Sequence, residues 1–293
     1  MTPLLLLLGV ITLYSIDTLF IKSYQVSAGT GRFQMAFMNL VSGCAVFVAL
    51  FILKGFQLHH TLLTLFLSIG FGIFFWVFSS LKAAAAGLGP LAIISMACVM
   101  GGVLIPTLYG FLFLQEAVTV HKIISILLIF LSFVPLLIKQ KKSLAFSTKF
   151  LLCCLLILML NGALYTVSKV AQAHSQPEYA VDYVALYYFF YFLTAVAVII
   201  QQSPHFDVHD IAVTCSLGNL SRAAAIGLCN AGASVLNYRL GYYLPASVQF
   251  PLTQSCMLII ITLTALLMYR EKPRQETMMS MLIAIASIVF MSL

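Results

Sequence analysis

Residues 244–273, LPASVQFPLTQSCMLIIITLTALLMYREKP, decide how this chain is read, because residues 89–117, GPLAIISMACVMGGVLIPTLYGFLFLQEA, follow the same plan. Each stretch opens near a proline, runs through a helix-length apolar segment and closes on a glutamate. Pro245 and Glu271 are 26 positions apart, as are Pro90 and Glu116. A plan that recurs 155 residues downstream points to duplication. The same shift pairs Gly72 with Gly227 and Ser79 with Ser234. Nearer the start the shift becomes 147, where Tyr14-Ser15 meets Asn161-Gly162 and Lys22 meets Lys169.

Composition sets the habitat. The chain is 62% apolar and 8% charged, with a mean hydropathy of +1.08, which a soluble globular domain could not sustain. Apolar runs of about 20 residues match a hydrocarbon core of ~30 Å at ~1.5 Å rise per residue. Ten such runs are read, at 3–21, 33–53, 61–81, 90–114, 119–138, 150–171, 182–201, 221–241, 245–269 and 275–293. The start MTPLLLLL has no basic flank, so the first run is expected to be a span rather than a cleaved signal. The longest polar segment, about 202–220, is a loop, and no separate soluble domain is expected.

The expected fold is therefore all-α and integral to the membrane. Ten transmembrane helices form two inverted five-helix repeats, 1–142 and 143–293, around a central cavity. Five spans per copy is an odd number, so the second copy enters the bilayer from the opposite face. Inverted repeats of this kind place a binding site near the midplane and let one gate mirror the other.

Orientation is contested by the charges. Sorting the cations of alternate loops gives eleven on one side and four on the other, the smaller set being Lys54, Lys122, Lys169 and Arg239. The positive-inside rule would put the eleven in the cytoplasm and both termini outside. The seven cysteines form no CxxC pair and read as small apolar packers. The net charge of +7 reports membrane topology rather than nucleic-acid binding.

Ten spans in two repeats, Tyr14-Ser15 followed by Lys22, Gly89-Pro90 and Leu244-Pro245, and the closing Glu116 and Glu271 resemble the EamA-type branch of the drug/metabolite transporter superfamily. The resemblance covers nearly the whole chain. It implies transport without ATP hydrolysis, of cargo from a range that includes amino acids, sugars, nucleotide sugars, organic cations and drugs. It also implies cytoplasmic termini, against the charge count, and orientation stays open.

Asp17 is the acidic residue placed well inside a span. A charge there costs ~2.5–3.5 kcal/mol on insertion scales and marks a functional position. Two roles fit it, a proton-coupling carboxylate or a counter-ion for a cationic substrate; a structural pairing with a lysine competes with both. Lys22 and Lys169 hold equivalent places in the two halves, and Lys82 and Arg239 end equivalent spans. Pointing inward they would hold an anionic metabolite; snorkelling to the interface is the competing reading. Asn39, Trp76, Asn161, Tyr165, Asn230 and Asn237, with Gln249 and Gln254, would supply hydrogen bonds and aromatic walls to a pathway. Tyr14, on the face of the first helix that carries Asp17, belongs with them. For each polar residue alone, bonding between helices is an equal alternative.

Tyr183, Tyr187 and Tyr191 form a stripe that could bind a cation but suits an interfacial belt and packing better. The loop PHFDVHD, 204–210, offers His205, Asp207, His209 and Asp210, yet a metal site wants three or four fixed ligands, and none is expected. No GxxxxGK[ST] is present, so nucleotide hydrolysis by that route is excluded.

The function expected is secondary transport of a small polar or amphipathic metabolite by alternating access, with export slightly favoured over uptake. A broad multidrug exporter is the alternative within the class, and an integral-membrane enzyme the alternative outside it. The chain is expected not to be an enzyme, to need no cofactor, and to meet a small-molecule substrate and the lipid bilayer, with no nucleic acid. Its expected location is the membrane as a multi-pass protein, the plasma membrane if the source is bacterial.

Overall fold

In hydrocarbon no water is available to backbone amides, so runs this apolar must satisfy them within a helix or a closed barrel. Helix is the outcome here. The structure, a computed structural model, describes residues 3–29, 31–86, 88, 91–132, 134–135, 148–202, 213–268 and 275–292. Among them there is no strand. The α-helices are α1 (Pro3–Ala28), α2 (Arg32–Leu53), α3 (Leu62–Ala86), α4 (Leu91–Leu112), α5 (Val120–Ser132), α6 (Thr148–Ala173), α7 (Ala180–Gln202), α8 (Leu217–Leu240), α9 (Ala246–Met268) and α10 (Gln275–Ser292). A 3-10 turn, Pro177–Tyr179, leads into α7. Among the described residues five segments, Pro3–Ala28, Phe33–Leu53, Leu62–Lys82, Thr148–Ala173 and Pro177–Gln201, are long and apolar enough to cross a membrane, which marks the chain as membrane-embedded.

Polar residues inside these helices mostly bond backward. Thr12, Ser15 and Thr18 of α1 donate to the carbonyls of Leu8, Ile11 and Tyr14, and Ser68, Thr166, Thr194 and Thr253 do the same elsewhere. A hydroxyl that finds its own i−4 carbonyl can sit in an apolar helix without an unsatisfied donor. Helix α2 ends where Gly55 takes φ 62°, a left-handed conformation that glycine adopts without strain, while its amide bonds to the Ile52 carbonyl.

The chain packs as two compact units. The first comprises residues 1–84 and 170–242, the second 85–169 and 243–293. In the first unit α1 lies on α8, and α2 lies on both α7 and α8. Its core is aromatic: Tyr183, Tyr187, Tyr188 and Tyr191 of α7 and Tyr238 of α8 are buried, with Phe71 and Phe75 of α3 packed against them. The tyrosine stripe thus serves packing, as one part of its expected role. Glycines set the spacing. A Cβ on Gly72 of α3 would lie 2.6 Å from the Tyr187 carbonyl oxygen, and one on Gly227 of α8 would lie 2.7 Å from that of Ser42 in α2.

In the second unit α4 packs on α9, and α10 packs on α5 and α9. Met96 and Val103 of α4 meet Ile129 of α5 in its core. A Cβ on Gly101 would fall on the Leu158 carbonyl, so α4 and α6 approach as closely as backbones can. The starts of α3 and α8, Leu62 and Leu217, keep the shift of 155 residues read in the sequence.

Candidate functional site

Helix α1 carries Asp17 into the first unit, where the residue is 6% exposed. Its Oδ2 accepts a hydrogen bond from Asn230 Nδ2 of α8 at 3.2 Å. Asn230 Oδ1 in turn accepts from the Tyr188 hydroxyl of α7 at 2.9 Å. The second carboxylate oxygen, Oδ1, has no hydrogen-bond partner among the described residues. Lys82, near the end of α3, is the cation whose charge acts on Asp17. One turn before Asp17, Tyr14 shares a hydrogen bond with Ser234 of α8.

The same unit holds a second polar chain. Ser79 Oγ of α3 donates to Asn39 Oδ1 of α2 at 3.3 Å, and Ser79 also bonds to Tyr191. Asn39 is 1% exposed. Its Nδ2 and the Trp76 Nε1 are buried donors with no hydrogen-bond partner among the described residues. Leaving such groups unpaired costs ~1–3 kcal/mol each, so a carboxylate oxygen, an amide and an indole in this state mark a place suited to a guest molecule.

Expected residues gather in the second unit as well. Asn161 Nδ2 of α6 donates to the Cys98 carbonyl at 2.7 Å, and Gln254 Nε2 of α9 donates to the Tyr165 hydroxyl at 3.0 Å. Lys169 Nζ reaches the Leu244 carbonyl at 3.2 Å and Gln249 Oε1 at 3.4 Å. A Cβ on Gly102 would lie within 3.1 Å of Tyr165, Gln254 and Asn161, so only glycine lets α4 pass this close to the three polar side chains. Beside them, Glu116 caps α9: its Oε1 accepts from the Ala246 amide at 2.6 Å and its Oε2 from the Ser247 amide at 2.8 Å. A carboxylate on the first amides of a helix satisfies orphan donors and complements the helix dipole.

Not every expected residue joins these clusters. Lys22 is exposed at its end of α1, and Asn237 is buried in α8. Arg239 is partly buried, and its Nε has no hydrogen-bond partner among the described residues. Pro90, Glu271 and the loop 204–210 lie outside the described residues. Sequence reasoning passed over Tyr188, whose part comes from contact with Asn230 rather than from spacing. It also passed over Asp182 at the start of α7, which is fully buried and paired with Lys54 at 2.8 Å.

No protein-family model matches the chain, and no curated protein matches it. A solved structure described only as "Crystal structure of protein" superposes with a TM-score of 0.69, covering 98% of this chain and 94% of that chain at 15% identity. At that identity the likeness concerns the fold alone.

Proposed function

We propose that this protein is a secondary transporter of a small polar or amphipathic metabolite, built from ten membrane-crossing helices in two inverted five-helix repeats. The observation that carries the reading is Asp17, a carboxylate buried in an apolar helix with one oxygen bonded to Asn230 and the other unpartnered among the described residues. A membrane helix retains such a group for a guest, a proton or an ion. In alternating access the two repeats exchange the face to which the bound molecule is open. The starts of α3 and α8, Leu62 and Leu217, lie 155 residues apart, which supports the duplication that this mechanism needs.

Tyr14, Tyr188 and Tyr191 surround the carboxylate's network, which favours a second reading within the class. Aromatic faces beside a carboxylate also suit an organic cation, as a multidrug exporter would carry. Proteoliposomes with a trapped pH dye separate these readings. Amino acids, sugars, nucleotide sugars and organic cations are added in turn, and proton movement and uptake are followed together. The proposal expects one class to move with protons, and Asp17→Asn to abolish the proton signal while substrate exchange survives. Uptake of organic cations alone, without proton movement, favours the exporter with Asp17 as counter-ion. No movement of any class would contradict transport.

A further inference from the structure

At one end of the first unit, the connection between α2 and α3 and that between α6 and α7 enclose a cavity of about 340 Å³. Both walls are pinned by contacts to neighbouring helices. The His59 amide donates to Asp182 Oδ1 of α7 at 3.3 Å, and Lys54 holds the same carboxylate at 2.8 Å. In the other wall the Tyr242 hydroxyl donates to the Ser175 carbonyl at 2.8 Å, and the Ser175 hydroxyl bonds to that of Tyr238 in α8 at 2.8 Å. Walls fixed before a guest arrives lower the ordering cost of binding.

The chemistry of the lining selects the guest. No Lys, Arg, Asp or Glu lines the cavity, so it has no permanent charge to match a phosphate, a carboxylate or an ammonium. The Thr61 and Thr64 hydroxyls bond to each other at 3.1 Å, and the Ser175 hydroxyl is engaged by Tyr238. The polar groups left for a guest are the imidazoles of His59, His60 and His174 and the amide of Gln176, all exposed. Among the described residues no three His, Cys, Asp or Glu are grouped to hold a metal ion, which leaves these imidazoles to hydrogen bonding. His60 Nδ1 donates to the Leu58 carbonyl at 3.2 Å, so Nε2 is the acceptor of the neutral ring. Gln176 makes no capping bond to the 3-10 turn it precedes, and its amide can both donate and accept. Apolar surface stands beside these groups: the Tyr179 ring packs on His59 with centroids 5.6 Å apart, and Leu186 lines the cavity as well.

We propose that this cavity is a binding site for a neutral sugar ring. A sugar divides as the cavity does: each hydroxyl both donates and accepts, and one face of the ring presents only C–H groups. The hydroxyls bond to the imidazoles and to Gln176, and the C–H face lies on the Tyr179 ring. The volume falls at the small end of the ~300–1,000 Å³ range of small-molecule sites, which suits a guest of this size. This site does not rest on the transport reading, since binding to it requires no movement across a membrane.

The test uses the full-length protein with isotope-labelled histidine in phospholipid nanodiscs, because sugar-headed detergents would compete for the site. Methyl glucoside, methyl galactoside and methyl mannoside are titrated in turn, and the imidazole resonances are followed by NMR. At least one glycoside should shift His59, His60 and His174 saturably and leave His121, at the start of α5, in place. Cyclohexylmethanol, a six-membered ring with a single hydroxyl, and glucuronate, a sugar ring with a charge, should each bind at least fivefold more weakly. Tyr179→Ala should weaken the glycoside by fivefold or more while Tyr179→Phe, which keeps the ring face, retains it. His60→Ala with His174→Ala should weaken it as much without lowering the melting temperature. No saturable shift with any of the three glycosides would overturn the proposal. So would cyclohexylmethanol or glucuronate binding as tightly as the best glycoside, or glycoside binding unchanged in the histidine variant.

Discussion

Ser125 of α5 and Ser287 of α10 bond to each other's backbone: the Ser125 hydroxyl donates to the Ser287 carbonyl at 2.7 Å and the Ser287 hydroxyl to the Ser125 carbonyl at 3.0 Å. A shift of 155 carries Ser125 onto Ser280 and Ser132 onto Ser287, and all four serines are buried. If α5 and α10 are copies related by a two-fold axis, the contact between 125 and 287 implies an equal one between 132 and 280. Cysteine pairs test this. Ser125→Cys with Ser287→Cys, and Ser132→Cys with Ser280→Cys, should both cross-link under mild oxidation. Ser125→Cys with Ser280→Cys should not, because seven residues displace the pair by ~10 Å along the helix. Cross-linking of that third pair alone would contradict the antiparallel duplication.

Gly72 and Gly227 repeat the pattern in the first unit, each pressing a backbone carbonyl of the helix opposite. Gly72→Ala and Gly227→Ala should each destabilise by ~1–3 kcal/mol, as overpacking does. Gly70 has nothing within 4 Å of a built Cβ, so Gly70→Ala should be neutral or slightly stabilising through helix propensity. Thermal unfolding in detergent reads all three. Equal melting temperatures for the three variants would contradict the close approach.

The Lys54–Asp182 pair predicts a non-additive loss. Lys54→Met leaves a fully buried carboxylate with its cation gone, and should cost several tenths to a few kcal/mol. The upper bound of ~3–5 kcal/mol for a buried pair is not reached, because the Lys54 side chain keeps 24% of its exposure. Adding Asp182→Asn should recover part of that loss. A double variant as unstable as the sum of the singles would remove the pair from the stability of this end of α7.

Glu116→Ala should lower the melting temperature by the ~0.5–2 kcal/mol of a lost helix cap, and Glu116→Gln by less, since the amide oxygen can still accept one α9 amide. Equal losses for the two would point to charge rather than hydrogen bonding as the source.

Habitat and helices were legible in the sequence because hydrocarbon leaves a backbone only the helix or the closed barrel, and continuous apolar runs of about 20 residues suit the helix. Gly72 and Gly227, paired by the 155-residue shift, both meet a backbone carbonyl of the helix opposite, so at these two positions the sequence marked a steric need. Contact partners were not. Asp17 is readable as a buried charge, but its bond to Asn230 joins residues 213 positions apart, and no local pattern encodes that pairing. Asp182 reads as the polar edge of a span, and only packing against the α2–α3 connection reveals it as fully buried. Glu116 stood out as a closing glutamate, whereas its role as the cap of α9 depends on a fold-level meeting with Ala246. Tyr183, Tyr187 and Tyr191 read as a stripe suited to an interfacial belt and packing; that the packing is against Phe71 and Phe75 of α3 is a contact between distant residues that spacing does not encode.

The central claim is that the second copy of the repeat enters the bilayer from the opposite side. His60 and the native Cys215 are 155 residues apart, both exposed, in the α2–α3 and α7–α8 connections. In a background free of other cysteines, one protein keeps Cys215 and another carries His60→Cys with Cys215 removed. A membrane-impermeant thiol reagent is applied to sealed vesicles of known orientation. The account predicts that the two positions react from opposite faces of the membrane; reaction of both from the same face would contradict it.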